Sequence, residues 1–134
     1  MTTASLLDLE LPRVAAAGQR ARHAVEPLIG HGLRREECSD VLLLTTELVT
    51  NAVRHGTGDV LLLCAKRAST GVRVEVRNQS GTDIPVPTDG GPEGGWGLQL
   101  VEAISSRWGQ SAQADCTLVW FELGAPRHTL RARP

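Results

Sequence analysis

The stretch TTELVTNAVRHG, Thr45 to Gly56, sets a carboxylate at Glu47 and a carboxamide at Asn51, four residues apart. On a helix that spacing stacks one above the other on a single stripe. An amide oxygen can take one position on Mg²⁺, a hard cation that prefers oxygen, while the carboxylate orients a hydroxyl or water for attack. Taken alone, the pair is more often what a solvated helix face carries, and it is weak evidence by itself. A second candidate is EGGWGLQLV, Glu93 to Val101, where Gly94, Gly95 and Gly97 allow close backbone approach. The helix opening there would offer its first free N–H groups to a phosphate. The plain alternative is a linker running into a helix. The spacing is not that of a dinucleotide-binding fingerprint, and the one lysine, Lys66, follows no glycine-rich loop of the Walker type.

Other chemistry is poorly supported by the pattern. His55 falls where a helix would end and suits the negative end of its dipole, while His23, His31 and His128 show no metal-ligand spacing. Cys38, Cys64 and Cys116 are widely separated, form no CxxC pair, and read as reduced, mostly buried thiols. No serine or cysteine nucleophile stands beside a base in the sequence.

These residues need elements to position them. SLLDLEL, Ser5 to Leu11, alternates as a half-buried strand does, and Pro12 suits the first turn of a helix. The run from Arg13 to Gly30 carries Val14, Ala17, Ala21, Val25 and Leu28 at helical spacing, interrupted near Pro27. After a loop HGLRREEC, Ser39 or Asp40 can cap a second helix that ends at Gly56. Its apolar arc is Val41, Leu42, Thr45, Leu48, Val49, Ala52 and Val53, with Glu47 and Asn51 at the edge. VLLLCAKR (Val60 to Arg67) and VRVEVRN (Val72 to Asn78) predict a hairpin. From Gly81 to Gly95 the prolines and glycines are too dense for a regular element, and a loop of that length in a small domain is usually functional. A helix, LQLVEAISSRW, then two strands, GQSAQAD and TLVWFEL, precede a polar tail, APRHTLRARP.

The 134 residues fit one domain, with a core over about 5–124 and a tail at 125–134. A hydrophobic share of 41% is enough to bury a core. With 14 basic and 15 acidic side chains spread along the chain, the net charge of -1 argues against a footprint for nucleic acid or anionic lipid. Proteins or small molecules are the expected partners. The longest apolar run, Val60 to Ala65, is far short of the ~20 residues that cross a bilayer, and MTTASLLDLELP lacks a basic n-region, so a cytoplasmic location is expected.

In order, ELVTNAVRHG, VRNQSG, the glycine- and proline-rich loop, GGWGLQLV and TLVWFEL resemble the GHKL ATP-binding superfamily, and within it the small bacterial anti-sigma factor serine/threonine kinases. The resemblance runs from about Leu11 to Leu123. It implies an α/β two-layer sandwich of the Bergerat kind, with helices on one face of a mixed β-sheet and ATP held between helices and a lid. Carried over by position, it makes Glu47 the catalytic base and Asn51 the Mg²⁺ ligand. Gly81 falls in the first glycine box, residues 82–94 become the ATP lid, Gly95 and Gly97 meet the phosphates with Leu98 beside them, and Thr117 reaches the adenine region. The implied activity is ATP-dependent phosphorylation of a STAS-domain anti-anti-sigma partner and sequestration of a sigma factor, by a homodimer. Phosphoryl transfer asks mainly for positioning and charge stabilisation, which such residues can supply.

Asn78 departs from that pattern, which usually has an aspartate accepting from the adenine amino group. With its oxygen toward the base, Asn78 keeps the contact without charge assistance, about 0.5–1.5 in place of about 1.5–3 kcal/mol. Flipped, it would donate to a carbonyl such as guanine O6. Either way adenine selectivity is expected to weaken. Two functions follow: an ATP-dependent kinase that is also a partner switch, and a non-catalytic module of the same fold that only binds proteins.

Overall fold

The computed structural model describes residues 4–30, 32–68, 71–79, 96–113 and 116–124. Five strands form one sheet in the order β1-β2-β3-β5-β4, and every neighbouring pair is antiparallel. They are β1 (Ala4–Pro12), β2 (Val60–Ala68), β3 (Gly71–Gln79), β4 (Arg107–Gln113) and β5 (Cys116–Leu123). Three helices, α1 (Ala17–Val25), α2 (Arg35–His55) and α3 (Trp96–Ile104), with a 3₁₀ turn at Glu26–Leu28, complete the described elements. The expected two-layer α/β sandwich is present. Its sheet is antiparallel where a mixed one was expected.

Alternating burial along the strands sets the layering. Leu61, Leu63 and Ala65 of β2, Val72, Val74 and Val76 of β3, and Val119, Phe121 and Leu123 of β5 are buried, every second residue along each strand. They meet Val41, Leu44, Leu48 and Val49 of α2 and Leu98 and Val101 of α3 in one core. Removing a ring such as that of Phe121, fully buried, would cost about 3–5 kcal/mol. α1 packs on α2 through a small-residue face, where a β-carbon at Gly18 would stand 2.8 Å from Thr50 Oγ1. The outer sheet face carries ions instead: Arg73 bridges Glu75 (2.7 Å) and Glu122 (3.0 Å) and lies 3.9 Å from the centre of the Trp120 ring.

Several boundaries differ from those read in the sequence. Pro12 closes β1, paired with Val60 on an edge strand, where a missing N–H is tolerated. α1 therefore begins only at Ala17, leaving Val14 43% exposed. α2 begins at Arg35, within the expected loop, because the buried Glu37 carboxylate accepts the Arg34 N–H at 2.8 Å. Ser39 and Asp40 are thus inside the helix. α3 stops at Ile104, and Arg107 and Trp108 belong to β4, since the Ser106 N–H turns to Glu122 O at 2.8 Å. Cys38, Cys64 and Cys116 form no disulfide with one another and are half-buried, where mostly buried thiols were expected. No helix among the described residues is long and apolar enough to cross a membrane.

Candidate functional site

α2 is the element that carries the Glu47 and Asn51 pair, and both α1 and α3 pack against it. Glu47 is half-buried and Asn51 is 9% exposed. Neither makes a hydrogen bond or ion pair to a described residue. An amide that is mostly buried on a helix yet not tied to a described neighbour is available to a ligand. Its oxygen is the hard donor that Mg²⁺ accepts, and the residues present fit such an ion.

β3 and β5 bring the next two candidates together. Asn78 and Thr117 are directly opposed across the ladder, on the helix-facing side, 5% and 4% exposed. Leu61 of β2 flanks Asn78 on the other side. Gly97 lies in the first turn of α3, and Leu98 follows it, buried in the core. Gly81, Gly95 and the expected lid at 82–94 lie outside the described residues, as does the tail at 125–134. Among the described residues no cluster of three His, Cys, Asp or Glu could hold a metal. A cavity of about 390 Å³ on the outer sheet face, lined by Asp8, Leu62, Cys64, Lys66 and Glu75, includes none of these candidates.

The environment of Asn78 explains the amide there. Its Nδ2 donates to Ala52 O at 3.2 Å, and its Oδ1 accepts from Arg13 Nη2. An aspartate would set a carboxylate oxygen against the Ala52 carbonyl, acceptor to acceptor. An asparagine is satisfied on both sides. Gly56 completes the fit: its backbone runs so close to the carboxamide that any β-carbon would overlap it.

Arg13 is the residue the sequence did not mark. Nothing in ELPRVAAAG sets it apart, and every acceptor it finds is distant in sequence. Nε donates to Gly58 O at 2.8 Å, Nη1 to Ala52 O and to Val53 O (3.3 Å), and Nη2 to Thr57 O and Asn78 Oδ1. Ala52 O and Val53 O both lie in the last turn of α2; Ala52 O also accepts the Gly56 N–H at 2.9 Å, while Val53 O is among the end carbonyls that lack a helical partner. Arg13 thus closes the helix end assigned in the sequence to His55. Burial lowers its pKa from the ordinary value, and Asp59 nearby opposes the shift. A guanidinium stays charged throughout.

The comparisons agree with this arrangement. No curated protein matches the chain. The solved structure of the RsbU and RsbW domains of Rv1364c from Mycobacterium tuberculosis is similar, with 21% identity and a TM-score of 0.63 over 90% of this chain. The match spans 33% of that longer chain. The model of the family described as histidine kinase-like ATPase domain matches residues 11–123, which hold every described candidate, and the chain belongs to that family.

Proposed function

We propose that this chain is a single ATP-binding domain acting as an anti-sigma serine/threonine kinase, phosphorylating a STAS-domain partner and holding a sigma factor, as a homodimer in the cytoplasm. The observation that carries the reading is the pairing on α2 of Glu47 with a mostly buried Asn51 that bonds to no described residue, in a chain of the histidine kinase-like ATPase family. Glu47 would take the proton from the acceptor hydroxyl, acting as general base. Asn51 would hold Mg²⁺, which supplies charge neutralisation at the phosphates when bound. Thr117 would border the base, and the first turn of α3, with Gly97 and Leu98 beside it, would offer N–H groups to phosphate. The fold likeness to a chain with an RsbW domain agrees with the partner-switching part of the reading.

A second reading, a protein-binding module without useful turnover, is favoured by one observation: Asn78 already has an internal partner on its acceptor oxygen. Incubation with radiolabelled ATP, Mg²⁺ and a STAS-domain partner separates the two. A kinase labels the partner, and Glu47→Ala abolishes the label. Labelling that survives Glu47→Ala removes that residue as the base, and no labelling beside intact partner binding establishes the module.

A further inference from the structure

We infer that Arg13 is a specificity-determining residue of the base end of the site, occupying the acceptor on Asn78 that a purine amino group would otherwise use. This rests on the nucleotide reading above and assigns a role to a residue that the reading leaves out.

A guanidinium has five N–H donors. In Arg13 each has its own acceptor: Gly58 O, Ala52 O, Val53 O, Thr57 O and Asn78 Oδ1. The group is held from β1's exit to the end of α2 and across to β3, so it cannot swing aside without giving up several bonds together. Asn78, in turn, has its donor committed to Ala52 O and is only 5% exposed. A ligand amine can reach Oδ1 only by sharing it with Arg13 or by displacing a charged donor. A hydrogen bond from a cation is about twice as strong as one between neutral groups, so a neutral arylamine loses that competition.

The consequence is specific to the base. Adenine presents an amino group where guanine presents a carbonyl oxygen. An Oδ1 freed of Arg13 would accept from the first and repel the second. With Arg13 in place, neither is favoured at this atom. Arg13 acts here through Asn78, as a positioning residue.

The full chain, Arg13→Ala and Arg13→Lys are titrated by calorimetry with ATP, GTP and tripolyphosphate, each with Mg²⁺. Circular dichroism confirms folding at the working temperature, and the lysine variant keeps the charge should the alanine variant not fold. The expected result is ATP and GTP within about threefold of each other in the native chain. In the variants the ATP:GTP preference rises by about three- to tenfold, the worth of one neutral hydrogen bond, with tripolyphosphate affinity unchanged. A native chain that binds neither nucleotide but gains ATP binding on Arg13→Lys supports the same assignment. Nucleotide binding with an unaltered ATP:GTP ratio in both variants, or an equal change for tripolyphosphate, overturns it while leaving the nucleotide reading intact. Absence of binding by all three ligands to all three proteins overturns both.

Discussion

The backbone of Gly56 lies against the carboxamide of Asn78, so close that a β-carbon at 56 would fall within it. Gly56 itself has φ -94, a conformation open to any residue, so its glycine is required by this contact and not by its backbone angles. That relationship locks the end of α2 to β3 and leaves the Asn78 amide only one orientation with both partners.

Gly56→Ala should therefore destabilise the fold by about 1–3 kcal/mol through overpacking, against the few tenths expected at an ordinary exposed helix end. Urea unfolding of Gly56→Ala, Asn78→Ala and the double variant checks the cause. The alanine at 56 should cost clearly less once the carboxamide is gone. Additive losses would mean the two residues are independent.

The start of α2 yields a second prediction. Glu37 is 6% exposed and accepts the Arg34 N–H at 2.8 Å. Glu37→Ala should lower stability by about 0.5–2 kcal/mol, as loss of a cap does. Glu37→Gln keeps an acceptor oxygen and should recover more than half of that. If glutamine is as damaging as alanine, the carboxylate charge matters more than the cap.

What the sequence made legible follows from local physics. Strict alternation in VRVEV sets the buried face of β3, the apolar run in TLVWFEL marks β5 as a strand without choosing its face, and the i, i+4 stripe of Glu47 and Asn51 depends only on helical pitch. The misplaced boundaries arise where a tertiary bond overrides propensity: the Glu37 cap starts α2 early, and the Ser106 bond to β5 ends α3 before SSRW can continue it. Arg13 was invisible for a stronger reason. Its acceptors lie between 39 and 65 residues away, and no periodicity encodes such contacts. The Asn78 substitution was readable as a departure, but its meaning needed Ala52 O and Arg13 in place.

Cys64 predicts a pH dependence. Burial, with a hydrogen bond from the thiol to Asp8 and the charges of Asp8 and Glu75, pushes its thiol up to about 11 from an ordinary 9.0, only slightly offset by Lys66. Raising the folded pKa means the unfolded chain loses its proton first as pH rises. The contribution to stability is thus full below pH 9.0 and is lost between 9.0 and about 11. Cys64→Ala should flatten the fall in melting temperature across that window. Asp8→Asn should flatten it only in part, since burial, the largest cause, remains.

Asn51 offers the sharpest separation of stability from function. Asn51 is 9% exposed and its amide makes no hydrogen bond to a described residue, so the described fold gains little from its polar atoms. Asn51→Leu removes the polar atoms, adds apolar contact at the edge of the core and improves helix propensity by a few tenths of a kcal/mol. The expected outcome is a rise in stability of about 0.5–2 kcal/mol, of the size seen when a site strained for function is relaxed. The same change should abolish the Mg²⁺-dependent part of ATP affinity, because leucine offers no oxygen to a hard cation. Urea midpoints and calorimetric titrations with and without Mg²⁺ read the two effects separately. A variant that loses stability assigns Asn51 a structural role; one that keeps Mg²⁺-dependent binding removes it as the ligand and moves the search for that oxygen to another residue.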